Sequence, residues 1–298
     1  MKNKIAMLVI VSVILLITVV GFTMLSGKQT VQNKPQKFIP QNVTEERHAE
    51  NFSSIKMVNE KGQPLIFQND TLFFQIMSLQ NQDKIEYSII PKDEYFGLYQ
   101  KLRYNSSMNT VFVYPIFTQA AYDHNGFYDY YSGNCDERCL SIPLQYTIGG
   151  SGTTSSMIGT SVLVFLGYPY ITDIDIDKNP DILKKYDRVI MLHSEYVTQK
   201  EFDAITQHPN VFYLYPNSLY ARVQTNYNNN TLTLVRGHGY PDASIKNGFD
   251  WKFDNSQFEY DSRCDNWSIT TIDNGKMLDC YPGFRMLYDK NLLMTIHG

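Results

Sequence analysis

Continuous runs of hydrophobic residues mark predicted strands in the middle of the chain. Such runs occur at 111–117, 188–193 and 211–215, and they are typical of strands buried on both faces of a sheet. A strict alternation of hydrophobic and polar positions at 171–176 predicts a fourth strand. Pro115 lacks a backbone N–H, so we expect it at an end or a bulge of the first strand.

Helical patterns separate these strands. Residues 153–166 place their hydrophobic side chains on one helical stripe. Asn179 and Pro180 form a helix start. Thr198 forms a capping box with Glu201 at the start of a second helix, predicted over 199–207. Each connecting helix must cross over to pack on the sheet, so this alternation implies parallel strands. The pattern therefore predicts an α/β fold with a doubly wound, flavodoxin-like parallel sheet.

The flanking sequence predicts smaller units on both sides of this sheet. Strand-like alternation recurs at 72–77 and 85–90, and Asn274-Gly275 marks a tight hairpin in an antiparallel tail. The predicted segments are a transmembrane signal anchor at 1–25, a polar tether at 26–50, a small N-terminal α/β segment at 51–105, the α/β domain at 106–225 and a β-rich C-terminal extension at 226–298.

An uncharged, mostly hydrophobic run extends from Ile5 to Leu25. As a helix it is long enough to cross the hydrocarbon core of a bilayer. Lys2 and Lys4 precede it, and positive flanks stay in the cytoplasm. We therefore expect a single-pass protein of the cell membrane whose C-terminal domain is extracellular. The alternative is a cleaved signal peptide, although the run is long for one and no clear cleavage site follows.

Cysteines and glycosylation motifs agree with export. Of the three pairings that four cysteines allow, the local pairs Cys135–Cys139 and Cys264–Cys280 are our first choice. The alternative is a metal site that includes Cys135 and Cys139. Asn-x-Ser/Thr motifs begin at Asn42, Asn51, Asn69, Asn105, Asn229 and Asn266.

The overall composition excludes two classes of protein. Lys and Arg number 26 against 30 Asp and Glu, and the resulting net charge of −4 excludes a generic basic nucleic-acid binder. A mean hydropathy of −0.31 excludes a polytopic membrane protein. The chain has 22 tyrosines, whose hydroxyls need partners when buried, and this favours polar sites or wet interfaces.

Polar residues follow the predicted strands at the edge where open parallel sheets bind ligands. Tyr122 follows the strand at 111–117, His193 and Glu195 lie at the end of the strand at 188–193, and Asn217 follows the strand at 211–215. Carboxylate, imidazole and phenol groups together can bind a hard metal ion or perform acid–base chemistry. Taken singly, His193 could bond a loop backbone and Glu195 could cap a helix, so convergence of several loops is the stronger argument.

Three segments resemble the catalytic large subunit of N,N-dimethylformamidase and its relatives. His193-Ser-Glu-Tyr-Val-Thr198 is similar to that family's Gly-His-Asp-Glu-Tyr-Trp-Ser/Thr segment. Residues 213–223 are similar to its Gly-Asn-x-x-Tyr-Trp-Arg-Val segment, and residues 118–126 to its Gln-Ala-Tyr-Asn-x-x-Gly-Gly loop. The resemblance covers residues 110–225 and implies a class I glutamine-amidotransferase-like fold there.

The resemblance also implies roles for individual residues. The family's iron is held by tyrosine and glutamate side chains, which implies Glu195 and Tyr122 as ligands of iron or another divalent metal. The implied catalytic residues are His193, Glu195 and Asn217. The implied reaction is hydrolysis of an amide-type C–N bond, with His193 orienting groups or shuttling a proton.

Three further patterns have a structural and a functional interpretation. Asp173, Asp175 and Asp177 resemble the start of a calcium loop, but the required Gly and closing Glu are absent, so we predict a strand with outward carboxylates. The glycine-rich stretch at 149–152 could bind an anion, and we predict a flexible loop. His238 lies in a polar turn that we predict to be solvated.

Two functions follow from these observations. The family's Gly before the His is Leu192 here, its Trp after the Tyr is Val197, and the metal set is incomplete by sequence. We therefore rank first a non-catalytic envelope or ligand-binding protein with a small-molecule ligand. The alternative is a metal-dependent hydrolase acting through Glu195 and Tyr122.

Overall fold

The structure is a computed structural model that describes six stretches of the chain. They are residues 55–58, 64–67, 72–81, 84–144, 154–259 and 264–298. The predicted membrane segment at 5–25, the tether at 26–50 and the glycine-rich stretch at 149–152 lie outside these residues. Within them, no helix is both long and hydrophobic enough to cross a bilayer.

Fourteen strands and seven α-helices occur in the described residues. The strands are β1 (Ile55–Val58), β2 (Pro64–Phe67), β3 (Phe74–Asn81), β4 (Lys84–Pro91), β5 (Thr110–Tyr114), β6 (Ser141–Pro143), β7 (Tyr170–Thr172), β8 (Arg188–Met191), β9 (Tyr196–Val197), β10 (Val211–Tyr213), β11 (Ala221–Asn226), β12 (Thr231–Arg236), β13 (Ile269–Ile272) and β14 (Gly275–Leu278). The helices are α1 (Phe96–Leu102), α2 (Ile116–Tyr122), α3 (Phe127–Tyr131), α4 (Thr154–Phe165), α5 (Asp173–Lys178), α6 (Gln199–Gln207) and α7 (Lys290–His297).

The main sheet contains six strands in the spatial order β13-β14-β10-β8-β5-β7. The five strands from β14 to β7 are parallel, and β13 is the antiparallel hairpin partner of β14. The prediction of an α/β fold built on parallel strands is therefore confirmed.

Both faces of this sheet are covered. Phe112 and Ile190 pack on one face in a hydrophobic layer with α4 and α7. Val111 and Val189 pack on the other face in a layer with α6. Burial on both faces explains why these strands are continuous hydrophobic runs and not alternating ones.

A second, mixed sheet has the order β6-β12-β11-β9. β9 pairs with β11 in parallel, and the other pairs are antiparallel. Its inner face, which includes Ile142, Leu232 and Leu234, packs against Phe117 of α2 and Phe127 of α3. The mixed sheet therefore holds α2 and α3 in place beyond the end of β5.

The hydrophobic run at 111–117 spans two elements, so the prediction of one strand is wrong at its end. β5 ends at Tyr114, Pro115 is the N-cap residue of α2, and the helix begins at Ile116. Proline cannot donate to a strand ladder but is tolerated at a helix start. Ile116 and Phe117 stay buried because α2 packs under the mixed sheet.

The alternating run at 171–176 is also divided. The strand ends at Thr172, whose hydroxyl accepts a hydrogen bond from the Asp175 backbone N–H, while the Asp175 carboxylate accepts one from the Thr172 N–H. This capping box begins α5. The predicted strand with outward carboxylates is wrong, because Asp173 and Asp177 are buried on a short helix.

Several local predictions are confirmed. The helix over 199–207 has the expected bounds, and Pro180–Lys185 forms a 3-10 helix after Asn179. The strands predicted at 72–77 and 85–90 are the antiparallel pair β3 and β4.

Both local disulfides are present, Cys135–Cys139 and Cys264–Cys280. This pairing rules out the alternative of a cysteine metal site. Disulfides persist in oxidising compartments, so the pair of them suggests that the domain resides in one.

The C-terminal hairpin is antiparallel, as predicted, but it also completes the main sheet. β14 pairs with β10 in parallel, with Gly275 opposite Val211. A Cβ atom on Gly275 would lie 1.9 Å from the Val211 carbonyl oxygen, so this approach requires glycine. The tail is therefore part of the same hydrophobic structure as the parallel strands.

Candidate functional site

The strand order creates a crevice between β5 and β8. The chain leaves β5, forms β7 on one side of it, and then returns to form β8 on the other side. In open α/β sheets, ligands bind beyond the carboxyl ends of the strands at such a reversal. The segments that follow β5 and β8 here carry Tyr122, Tyr128 and Glu195.

Glu195 lies at the centre of a cluster of oxygen atoms. The Tyr122 hydroxyl donates to Glu195 Oε2 at 2.9 Å, and the Tyr128 hydroxyl lies 2.9 Å from Oε1 and 3.1 Å from Oε2. The two phenol oxygens are 2.7 Å apart. Glu195 is fully buried, whereas Tyr122 and Tyr128 are partly exposed and form the outer wall of the cluster.

The backbone holds Glu195 in this position. Its carbonyl oxygen accepts hydrogen bonds from the N–H groups of Tyr220 and Ala221, both at 2.9 Å. The next residue, Tyr196, donates its N–H to the Thr118 hydroxyl of α2 at 3.0 Å. The loop after β8 is thus attached both to β11 and to the helix that carries Tyr122.

His193 and Asn217 extend the cluster on its inner side. The Asn217 amide Nδ2 lies 3.1 Å from His193 Nε2, which is 3.6 Å from Glu195 Oε2. Burial lowers the pKa of His193 to about 3, so the imidazole is neutral and forms no ion pair with Glu195. If Nε2 accepts from Asn217, the ring proton resides on Nδ1.

Two polar atoms here have no hydrogen-bond partner among the described residues. They are His193 Nδ1 and Asn217 Oδ1, and both are buried. The His193 ring stacks on Tyr215 with ring centroids 4.9 Å apart, so its orientation is fixed. An unsatisfied buried polar atom costs about 1–3 kcal/mol, so a ligand that pairs with these atoms is favoured.

Burial also determines the charge of the oxygen cluster. It raises the pKa of Glu195 to about 8, although the hydroxyls of Tyr122 and Tyr128 partly offset the shift. The pKa values of Tyr122 and Tyr128 are raised well above the ordinary value, first by burial and then by the charge of Glu195. All three groups therefore hold protons near neutral pH unless a cation replaces them.

The donor set matches a hard metal ion. Carboxylate and phenolate oxygens are hard ligands, and the cluster brings three such side chains together. No group of three or more His, Cys, Asp and Glu side chains that could hold a metal occurs in the described part of the chain. A metal here would therefore depend on the two tyrosines as well as on Glu195.

His238 is buried, so the prediction of a solvated turn is wrong. Its Nδ1 lies 2.6 Å from Glu259 Oε1, and its ring centroid is 4.3 Å from that of Tyr131 and 5.4 Å from that of Tyr128. His238 has a φ of 55°, a left-handed conformation that costs energy outside glycine. Gly237 and Gly239 flank His238, and both have a positive φ. These two glycines are the sequence signal that could have indicated a tight loop.

The structure brings together all four residues proposed from the sequence, Tyr122, His193, Glu195 and Asn217. Tyr128 is one of several tyrosines that follow β5, and the sequence did not single it out as a partner of Glu195. The three aspartates of the calcium-like pattern lie in α5, in which Asp175 only caps the helix.

The comparisons with known proteins give no family. No protein-family model matches the chain, and no curated protein matches it. The resemblance to the N,N-dimethylformamidase family over residues 110–225 thus stays a prediction.

Proposed function

We propose that this protein is a metal-dependent hydrolase that acts on an amide-type C–N bond. The observation that carries the proposal is the buried cluster of Glu195 with the hydroxyls of Tyr122 and Tyr128. These three side chains would hold the ion, which fits iron or another hard metal. Tyr122 and Tyr128 are the partly exposed members of the cluster, so a substrate would approach from their side.

The topology supports the finer fold proposal. Across the sheet, the parallel strands follow one another as β7, β5, β8, β10 and β14. Numbered by their order along the chain, this is 2-1-3-4-5, which is the flavodoxin-like order. The cluster lies at the reversal point between the first and third strands of that order. Together with the sequence resemblance, this supports an amidotransferase-like domain, although fold alone does not define a reaction.

The chain's own residues fit recognition of an amide. His193 Nδ1 can donate a hydrogen bond and Asn217 Oδ1 can accept one, and neither has a partner in the described residues. An amide group presents the complementary pair, an accepting C=O and a donating N–H. When bound, a metal ion would add Lewis acidity and an activated water. His193 and Asn217 would orient the substrate beside it.

We also propose a location outside the cytoplasm. The hydrophobic run at 5–25 would anchor the chain in the cell membrane, and the polar segment at 26–50 would hold the domain away from it. The two disulfides support an extracellular domain.

Metal analysis of the full-length protein tests the hydrolase proposal. We expect stoichiometric metal in the wild type, loss of that metal in Glu195→Ala, and weaker retention in Tyr128→Phe, which keeps the ring and removes the oxygen. Glu94→Ala, at an exposed position, is the matched control and should retain the metal. The rate at which each protein releases amine from small amides should rise and fall with its metal content. A wild type that stays metal-free after incubation with iron and zinc salts refutes the proposal.

The second candidate is the non-catalytic ligand-binding protein. One observation favours it: the side chain of His193 is only 5% exposed and that of Glu195 is not exposed at all. A substrate must therefore displace the outer wall to reach them. Tight binding of a small ligand without turnover by the metal-loaded protein would support this candidate.

A further inference from the structure

A polar groove of about 580 Å³ lies on the mixed sheet. Its volume is within the range of small-ligand pockets. None of its lining residues belongs to the oxygen cluster around Glu195. The lining residues are Ser141, Gln224, Thr225, Asn226, Tyr227, Asn228, Asn229, Thr231 and Thr233.

The chemistry of the lining is uniform. Every side chain is uncharged, and every one carries an amide or a hydroxyl group. No Lys or Arg is among the lining residues, so the lining itself offers no counter-charge to phosphate, sulfate or carboxylate groups. Without aliphatic side chains, it offers little to a hydrophobic ligand. Amides and hydroxyls both donate and accept hydrogen bonds, as the hydroxyls of a sugar do.

The floor of the groove is a rigid sheet surface. The strand register places Gln224, Thr233 and Ser141 in one row across β11, β12 and β6. The hydroxyls of Ser141 and Thr233 are 2.9 Å apart. The opposite face of the same strands, including Leu232 and Leu234, is buried in the hydrophobic core. The polar row therefore keeps its spacing whether or not a ligand is bound.

One wall of the groove is fixed by a buried carboxylate. The hydroxyls of Thr225 and Tyr227 donate to Asp177 Oδ2 at 2.9 Å and 2.6 Å. Lys178 Nζ lies 4.5 Å from the centroid of the Tyr227 ring and covers one face of it. A groove whose walls are ordered in advance loses less conformational entropy on binding.

We propose that this groove binds a neutral carbohydrate. A polyhydroxylated, uncharged ligand is the class that satisfies a lining made only of amides and hydroxyls. Tyr227 adds an aromatic ring, whose face is the kind of surface that packs on the C–H face of a sugar. This proposal is independent of the metal site, because it uses a different set of residues.

Binding of neutral oligosaccharides by the full-length protein tests the proposal. The probes are maltohexaose, cellohexaose, mannohexaose and chitohexaose, measured by isothermal titration calorimetry, with heparin as a charged comparison. Because Asn229 begins a glycosylation motif, the protein is produced without N-glycans. We expect at least one neutral probe to bind, and the double variant Gln224→Ala with Asn226→Ala to weaken that binding at least about tenfold.

Two further variants keep the test decisive. Thr233→Val removes one hydroxyl from the row and preserves the side-chain shape, so it should weaken binding without unfolding the sheet. Asn291→Ala removes an exposed amide on α7 and should leave binding unchanged. The proposal is overturned if no neutral probe binds, if only heparin binds, or if the double variant and Thr233→Val both bind as the wild type does.

Discussion

Gly126 allows the two tyrosines of the oxygen cluster to meet. It lies in the tight turn between α2 and α3, and a Cβ atom there would lie 2.3 Å from the Ala121 carbonyl oxygen and 2.7 Å from that of Asp123. The turn places Tyr122 and Tyr128 side by side, with ring centroids 4.0 Å apart. A larger residue would push α3 away and separate the phenol oxygens.

Replacement of Gly126 by alanine should therefore affect both stability and the site. We expect Gly126→Ala to lower the free energy of unfolding by about 1–3 kcal/mol, because the new methyl group overlaps backbone atoms. Urea denaturation measures this change, and metal content should fall with it. Gly97→Ala is the control, because a Cβ atom at position 97 meets no atom within 4 Å. Gly97 lies within α1, where alanine favours the helix more than glycine does, so the free energy of unfolding should rise by about 0.5–1 kcal/mol. Equal effects of both substitutions would contradict the argument.

Single residues also show how far the sequence could predict the site. Tyr122 and Glu195 could be named, because each follows a strand whose carboxyl end faces the crevice. Tyr128 was not recognised as a partner because its position depends on the turn at Gly126, which has no periodic signal. His238 was placed in solvent because its partner Glu259 is far away in the chain and only tertiary structure joins them.

At the scale of elements, α5 and α6 enclose three carboxyl groups. Asp173, Asp177 and Glu201 are at most 3% exposed. The Thr198 hydroxyl donates to Asp177, and the N–H groups of Phe117 and Ile174 donate to Asp173.

Both oxygens of Glu201 lack a hydrogen-bond partner in the described residues. Burial raises the pKa of Glu201 well above its ordinary value, and the charges of Asp173 and Asp177 raise it further. Burial likewise raises the pKa of Asp173. Glu201 is therefore protonated in the folded protein at pH values where the unfolded chain has lost that proton.

This proton makes the packing of α5 on α6 sensitive to pH. The pKa of Glu201 is higher in the folded protein than in the unfolded chain, so the unfolded chain binds fewer protons at pH values between the two. The free energy of unfolding therefore falls as pH rises from about 4.5. Glu201→Gln removes the ionisable group and keeps the shape. We expect it to be more stable than the wild type by about 1–3 kcal/mol at pH 8, with the difference vanishing near pH 4.

Urea unfolding of both proteins across this pH range measures the difference. Glu137→Gln changes an exposed glutamate and is the control, which should follow the wild type at every pH. A difference between Glu201→Gln and the wild type that does not change with pH would contradict the proposed protonation.

The helices also show when an element can be predicted from its own sequence. α6 has its predicted bounds because Thr198 gives a local start signal, and its hydroxyl accepts from the Glu201 N–H. The predicted capping box is only half formed, because neither oxygen of the Glu201 carboxyl has a hydrogen-bond partner among the described residues. α5 was missed because 171–176 alternates as a strand does, while the capping box at Thr172 begins a helix. Over these six residues, the alternation favours a strand and the capping box favours a helix. The packing of the helix decides between the two.

At the scale of the whole molecule, the two disulfides close loops of different length. Cys264–Cys280 encloses the hairpin of β13 and β14, and both cysteines are buried in the hydrophobic layer with α4 and α7. Cys135–Cys139 has a sequence separation of only 4, against 16 for the other bond. The longer loop restricts the unfolded chain more.

Removal of the disulfide with the longer loop should therefore destabilise the protein more than removal of the other disulfide. We expect Cys264→Ala with Cys280→Ala to lower the free energy of unfolding by about 3 kcal/mol, and Cys135→Ala with Cys139→Ala by about 2 kcal/mol. Urea denaturation of the two double variants under the same conditions compares them directly. A larger loss for the short loop would show that chain entropy does not govern the effect.

The parallel arrangement was the part of the molecule that the sequence predicted best. Four hydrophobic segments separated by helices leave few topologies, because crossovers between parallel strands are right-handed and short. The mixed sheet and the insertion of β14 beside β10 were not predicted. Both depend on pairing between segments far apart in the chain, for which a hydrophobic pattern gives no partner.

The late position of β14 has a consequence for synthesis of the protein. β10 leaves the ribosome more than sixty residues before its neighbour, which occupies 275–278. During that interval the growing polypeptide presents an open strand edge, the kind of surface that recruits other nascent chains into aggregates. A proteolytic cut in the intervening stretch leaves β14 held to β10 by non-covalent contacts alone, so partial digestion there should yield insoluble fragments sooner than a comparable cut before β5.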